Sequence, residues 1–238
     1  ALWNHDDSGE PVGAGLVHPD FFAGIVGAYI TMAALNHRTL TGEGHYIDAS
    51  EGEAGASLID QYYMDANVNK RLPKPIGNES STSSPHGIYR CKGDNAWVAI
   101  AVRTEREWLR FCKAIGFPDW TKLKRFSSLA SRVRCRKEID SFVGEWTKKL
   151  PPDKVTDILL KAKVPAGQLH NGKTILEDEQ LNSRGFWVET KHPEMKTISF
   201  EGNPIHLSDT PWALNMPAPK VGQHNNKIYN ELLGIDHI

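Results

Sequence analysis

The sequence predicts an α/β protein in which a smaller α+β domain follows the first helices. An apolar helical stretch at 21–37 is followed by a strand pattern at 45–49 and a second helical pattern at 51–67. Helix–strand–helix order is typical of a layered α/β domain. A hairpin pattern and three amphipathic helical patterns come after it, which indicates the smaller domain.

The first helix, Phe21–His37, is apolar around nearly its whole circumference, so it is expected to be buried on most faces. His37 and Arg38 complement the negative end of its dipole, and Gly42 and Gly44 end it. Its apolar residues are Phe21, Phe22, Ile25, Val26, Ala28, Tyr29, Ile30, Met32, Ala33 and Leu35.

The later elements follow from local patterns. Segments 87–91 and 96–102 alternate about the turn 92–95, which predicts a hairpin. Helical patterns carry Trp108 to Ile115, Ile139 to Leu150 and residues 153–163, the last stopped by Pro165. Strand-like texture follows at 185–207, and a short helix is predicted near 226–233.

These patterns divide the chain into four predicted segments. Residues 1–69 form a portion of a larger α/β domain, and the Pro/Ser/Asn-rich residues 70–84 form a linker or mobile loop. Residues 85–205 form the small α+β domain. Residues 206–238 return to the larger domain.

Composition excludes several functions. With 28 basic and 29 acidic residues in 238, no global field recruits nucleic acid or an anionic membrane. No window holds the roughly 18 apolar residues of a membrane span, and no signal peptide is recognisable. Three cysteines and ten histidines lack metal-type spacing. We therefore expect a cytoplasmic protein with no metal. Because the chain opens on polar residues without Met, we also expect a fragment or processed product.

Two sequence features could indicate a binding site for phosphate or another anion. Residues 167–174 fit the phosphate-loop pattern GxxxxGK[ST], which requires a preceding strand and a following helix. A helix and Val164-Pro165 precede it, so we interpret it as a chance match. Residues 121–137 hold seven basic residues and no acid. We interpret them as a solvated helix face, the alternative being a patch for an anionic cofactor or a neighbouring subunit.

Asp20 opens the apolar helix and permits two compatible interpretations. Asp is a favoured N-cap, since its oxygen accepts a hydrogen bond from a first-turn amide. Alternatively, the positive end of the helix holds an ionised carboxylate in place as a nucleophile. The residues alone leave both open.

The run from Asp20 through Gly42-Glu-Gly-His-Tyr-Ile-Asp-Ala-Ser to Ala54 resembles the central segment of family III CoA-transferases. Agreement continues at 84–94, 164–167, 175–186 and 217–225. The resemblance implies that Asp20 attacks an acyl-CoA thioester, giving a mixed anhydride and then an aspartyl-CoA thioester. CoA then passes to an acceptor carboxylate. Acyl-CoA would thus be a substrate, with no tightly bound cofactor.

The resemblance also implies an incomplete unit. Relatives are longer, and their N-terminal half carries most CoA-binding residues and part of a Rossmann-like sheet. Their subunits are interlocked rings. We therefore expect part of a Rossmann-like CoA-transferase domain plus the smaller α+β domain, in a homodimer or a complex with the N-terminal half. Its interface should exceed about 2,000 Å².

A candidate substrate loop lies at 77–84. Formyl-CoA transferase has a run of glycines there that closes over its intermediates. This chain has a polar, nearly glycine-free sequence instead, with Gly77, Asn78, Ser80 and Ser81 as candidate substrate contacts. The difference argues against the formyl/oxalate substrate pair.

Two alternatives accompany the transferase prediction. A 2-methylacyl-CoA racemase shares the fold and the aspartate but exchanges an α-proton. Its glutamate after the hairpin falls at Thr104 here, with Glu105 adjacent. The other alternative is a non-catalytic partner subunit or fragment that lacks the CoA-binding half.

Overall fold

The computed structural model describes residues 17–74 and 76–235. They form a mixed α/β structure of helices and small antiparallel sheets. The chain divides into two compact units, the first ending at Gln168 and the second beginning at Leu169. That boundary falls inside the predicted 85–205 domain, and the four-segment division stays a prediction. No helix in the described ranges is long and apolar enough to cross a membrane.

Helix α1 spans His18–Thr41 and extends beyond the predicted 21–37 at both ends. Pro19 suits its first turn. Gly42, in the left-handed region at φ +82°, ends it by donating its amide to the Arg38 carbonyl at 2.8 Å. The expectation of burial on most faces is wrong for this chain, because α1 has no buried residue. It packs against α2, and Phe21, Ile25, Tyr29 and Met32 remain largely exposed.

Residues 43–68 also differ from expectation. The strand predicted at 45–49 is wrong, since that segment is irregular and has no ladder partner among the described residues. The single predicted helix is two, α2 (Glu51–Ser57) and α3 (Asp60–Val68). The Ser57 hydroxyl donates to the Ala54 carbonyl at 2.7 Å, a bond that competes with helix continuation just before the break.

The rest of the first unit contains a three-stranded antiparallel sheet. Strands β1 (His86–Arg90) and β2 (Trp97–Ala101) confirm the predicted hairpin. A third strand, β3 (Ala166–Gln168), pairs with β2 and was not predicted, because three residues are too short to show alternation.

Helices pack on one face of this sheet, and α4 (Glu105–Ala114), α6 (Arg136–Thr147) and α7 (Pro152–Lys161) confirm the three amphipathic predictions. A further short helix, α5 (Leu129–Arg134), and 3₁₀ turns at Asp119–Lys122 and Lys124–Phe126 lie between α4 and α6. The core between helices and sheet includes Val98, Ile100, Phe111, Phe126, Ile139, Val143, Val155 and Leu159, all 0–2% exposed.

Arg132 corrects the interpretation of the basic stretch, because its side chain is fully buried. Its Nη1 donates to the Phe126 carbonyl at 3.1 Å and the Glu105 carboxylate at 3.0 Å, and its Nε donates to the Ser84 carbonyl at 3.3 Å. The guanidinium also lies over the Trp108 ring, 4.7 Å from its centroid. Arg132 thus ties the end of segment 70–84 to the helices.

The second unit contains α8 (Glu179–Ser183), the hairpin β4 (Trp187–His192) and β5 (Lys196–Glu201), and a π-helix (Asn226–Leu232). The hairpin confirms the strand-like texture, and the last helix is confirmed. Residues 205–207 form no strand. Instead, the Asn203 side chain accepts the Ile205 amide at 2.9 Å, closing a local turn.

Replacing Arg132 with alanine should lower the free energy of unfolding by about 2–4 kcal/mol. The change leaves two buried carbonyls without a donor and opens a cavity beside Trp108. Urea denaturation of the 238-residue chain measures the loss. Arg134→Ala, at an exposed position on the same helix, is the matched control and should stay within about 0.5 kcal/mol of the parent. Equal stability of the two variants would contradict this account of Arg132.

Candidate functional site

Asp20 is the third residue of α1 and is exposed. Its backbone amide donates to the Val17 carbonyl at 3.1 Å. The N-cap interpretation is wrong, because Val17 occupies the cap position and no side chain caps the helix. The carboxylate lies instead inside the first turn, where the positive end of the helix dipole favours negative charge.

Glu51, the first residue of α2, is hydrogen-bonded to Asp20 through its side chain. Two carboxyl groups can share a hydrogen bond only if one holds a proton. This bond, first, and the negative charge of Asp20 raise the pKa of Glu51, so the pairing favours the protonated form of Glu51. The pairing joins two residues 31 positions apart, and no sequence spacing signals it.

A close approach of α2 to the start of α1 creates this pair. A Cβ built at Gly55 would stand 3.2 Å from Pro19 Cβ, which is tighter than ordinary packing. Glycine therefore lets α2 contact the first turn of α1. Ser50 fixes the start of α2 by accepting the Glu53 amide at 3.2 Å. Together these contacts place the Glu51 side chain beside Asp20.

The candidate substrate loop is held by β1 and α6. Gly77 has φ +52°, and the Ile76 carbonyl accepts the Glu79 amide at 2.9 Å. The Asn78 carbonyl accepts a hydrogen bond from His86 Nδ1 at 2.8 Å. Arg136 pairs with Glu79 at 2.5 Å. Asp20 is thus held by contacts with α2, whereas the candidate loop is held by contacts with β1 and α6.

The two serines of the predicted loop make local contacts. Ser80 Oγ accepts the Thr82 amide at 3.1 Å, and its hydroxyl lies 3.3 Å from that of Thr82. Ser81 is exposed, whereas Ser83 and Ser84 are buried. The segment therefore passes from a surface turn at 77–82 into the core of the first unit.

Glu105 is committed to a structural role. Its carboxylate accepts the Leu129 amide at 2.6 Å and is paired with Arg132 at 3.0 Å. These contacts, the Arg132 hydrogen bond first, lower the pKa of Glu105. Thr104 is the N-cap of α4 and accepts the Glu107 amide at 3.1 Å. In the racemase alternative Glu105 would have to act as the base, but its carboxylate is already engaged by Leu129 and Arg132. The structure therefore does not favour that alternative.

The phosphate-loop pattern has no phosphate-loop geometry. Gly167 lies in β3, paired with Ala99. Within the second unit, Asn171 Oδ1 accepts the amides of Lys173 at 3.0 Å and Thr174 at 2.9 Å. Those amides are therefore already engaged. Across the described ranges no group of three or more His, Cys, Asp or Glu side chains could hold a metal ion.

Comparison with known proteins identifies the class to which this arrangement belongs. The family described as CoA-transferase family III matches residues 2–225. The chain therefore belongs to CoA-transferase family III.

Particular relatives are similar over most of this chain but are longer. "Probable CoA-transferase Rv1866" of Mycobacterium tuberculosis is 32% identical over 220 residues, 92% of this chain and 27% of the relative. Formyl-CoA:oxalate CoA-transferase of Rhodopseudomonas palustris is 28% identical over 248 residues, 95% of this chain and 58% of the relative. A CAIB/BAIF family crystal structure from Brucella suis has a TM-score of 0.83 at 23% identity, covering 97% of this chain and 59% of that one. The chain thus spans between about a quarter and three fifths of these proteins.

The Asp20–Glu51 pair predicts a titration that depends on Asp20. In the 238-residue chain, the pKa of Glu51 should lie above its ordinary value and fall in Asp20→Asn, because the asparagine carries no negative charge to favour the proton on Glu51. Carbon-detected NMR of the Glu51 side chain measures both values. Asp48→Asn is a matched control that should leave Glu51 unchanged. An identical Glu51 titration in Asp20→Asn and the parent would contradict the pairing.

Proposed function

We propose that this chain supplies the nucleophile of a CoA-transferase that moves CoA from an acyl-CoA donor to a carboxylic acid. Asp20 is that nucleophile. The observation that carries the proposal is a carboxylate in the first turn of α1, hydrogen-bonded by the side chain of Glu51, in a chain of CoA-transferase family III. Similar enzymes carry names that pair an acyl-CoA with an acid, such as succinyl-CoA with D-citramalate.

The proposed reaction conserves the thioester bond energy. The Asp20 carboxylate attacks the thioester carbonyl, and CoA thiolate leaves to give a mixed anhydride. The thiolate then attacks the Asp20 carbonyl, releasing the donor acid and leaving an aspartyl-CoA thioester. The acceptor carboxylate attacks this thioester and expels CoA thiolate, which finally attacks the acceptor's carbonyl in the new anhydride. Product acyl-CoA leaves, and Asp20 is regenerated.

Glu51 is proposed as a positioning residue for Asp20. Through its side-chain hydrogen bond with Asp20, Glu51 restricts the rotation of the Asp20 carboxylate. Restricting a nucleophile to one orientation lowers the entropic part of the barrier. Helix α2 holds Glu51 in place through its contact with Pro19.

An active site at Asp20 also requires a surface that shields Asp20 from water. A carboxylate in water is a poor nucleophile, and developing oxyanions need donors in a site that excludes water. Asp20 is exposed, and so are Phe21 and Ile25 on the same helix. We propose that a second copy or an N-terminal complement covers α1 and adds the CoA-binding residues. The solvent accessibility of Asp20 in the assembled protein decides this point.

The complete protein supplied with an acyl-CoA should form a covalent adduct on Asp20. Borohydride or hydroxylamine trapping followed by peptide mass spectrometry locates it. Asp20→Asn keeps the size of the side chain and its capacity to accept a hydrogen bond but removes the nucleophile, so the adduct should vanish and turnover should fall on the order of 10³-fold or more. Asp48→Asn, a nearby exposed carboxylate, is the control and should keep the adduct. Undiminished turnover in Asp20→Ala would refute the assignment.

A further inference from the structure

The outer face of the three-stranded sheet forms an open cleft of about 370 Å³. The strand register places Ile88, Ala99 and Gly167 in one row across the sheet, with His86 and Ala101 in a neighbouring row. Since side chains alternate along a strand, these rows point away from the core face, where Tyr89, Val98 and Ile100 are buried. At Ala99, Ala101 and Gly167 the floor of the cleft therefore carries only small side chains or none.

Gly167 contributes no side chain to that floor, although the structure has space for one. A Cβ built on it meets no heavy atom within 4 Å, so glycine is not needed there for fit. Its φ is not in the left-handed region, so it is not needed for backbone conformation either. Glycine within a strand weakens the strand, and it often marks a place that a ligand approaches closely. The missing side chain leaves open room in the cleft.

One rim of the cleft is the candidate substrate loop. Asn78 lines the cleft, and His86 holds the Asn78 carbonyl by a 2.8 Å hydrogen bond from Nδ1. The adjacent Glu79 is paired with Arg136 at 2.5 Å. Two independent contacts thus fix the loop beside the cleft. Asn78 and His86 are its polar lining residues, and the remainder of the lining is apolar or glycine.

We propose that this cleft binds the aliphatic acyl group of the acyl-CoA substrate, and that Ala99, Ala101 and Gly167 set the chain length it accepts. The inference rests on the proposed function. Ligand pockets are typically 300–1,000 Å³, mostly apolar, with a few polar groups at defined positions. A cleft near the lower bound suits a short chain, and its apolar floor excludes a charged group.

Adding methyl groups at Gly167 tests the proposal without disturbing the fold. In the complete protein, Gly167→Val should lower kcat/KM for butyryl-CoA by about 15-fold relative to acetyl-CoA, since each excluded methylene is worth about four-fold. Gly167→Ala should give a smaller change in the same direction. Gly172→Ala adds a methyl group at another open position, outside the cleft, and should leave the chain-length profile unchanged.

A binding measurement on the 238-residue chain gives a second readout that needs no turnover. Methyl NMR during titration with butyryl-N-acetylcysteamine, a thioester without the nucleotide, should shift the signals of Ile88 and Ala99 and leave that of the exposed Ala130 on α5 unchanged. The shifts should be lost in Gly167→Val.

The outcomes separate the two proposals. An intact Asp20 adduct with an unchanged chain-length profile in Gly167→Val overturns the cleft and leaves the proposed function standing, as does an equal loss for every acyl length. Shifts of Ile88 and Ala99 without any Asp20 adduct support the cleft and refute the nucleophile. Absence of those shifts counts against the cleft.

Discussion

Helix α1 carries the proposed nucleophile, and much of the apolar surface of this helix is exposed to water. Phe21, Ile25, Tyr29 and Met32 are 64–75% exposed, although an uncovered apolar surface of this kind marks an interface. The first turn of the same helix holds Asp20, whose proposed chemistry requires exclusion of water. One event would satisfy both requirements, namely a surface that covers α1 and closes over Asp20.

The second half of the first unit, unlike α1, buries many of its apolar side chains. Its helices and sheet enclose a dense core, and the buried Arg132 joins residues that are distant in sequence. Stability therefore resides in this part, whereas the candidate chemistry resides on α1 and α2. The candidate substrate loop is attached to the stable part through His86 and Arg136, and neither of these contacts involves α1.

Local patterns predicted what local physics determines. The hairpin at 86–101 and helices α4, α6 and α7 follow from periodicities of two and 3.6 that single segments display. Structural features that depend on contacts between residues distant in sequence could not be predicted from local patterns. The segment 45–49 has no ladder partner among residues 17–74 and 76–235, and the three-residue β3 forms by pairing with β2. Arg132 is buried through contacts with Ser84, Phe126 and Glu105, whereas charged residues default to the surface.

The candidate site shows the same division. The position of Asp20 near a helix start was visible in the sequence, but its place inside the first turn depends on where the helix begins, a boundary that patterns fix poorly. Its partner Glu51 depends on the approach of Gly55 to Pro19, which only the tertiary structure supplies. The family resemblance pointed to Asp20 as the proposed nucleophile but could not predict its contact with Glu51.

Carbodiimide labelling of carboxylates tests the central claim most directly. Asp20 should be labelled in the 238-residue chain and protected in the assembled, active protein. Asp119, whose side chain is fully exposed in the first unit, serves as the reference and should react in both. Equal labelling of Asp20 in the isolated chain and in the active assembly would contradict the account, because the nucleophile would then work in open water.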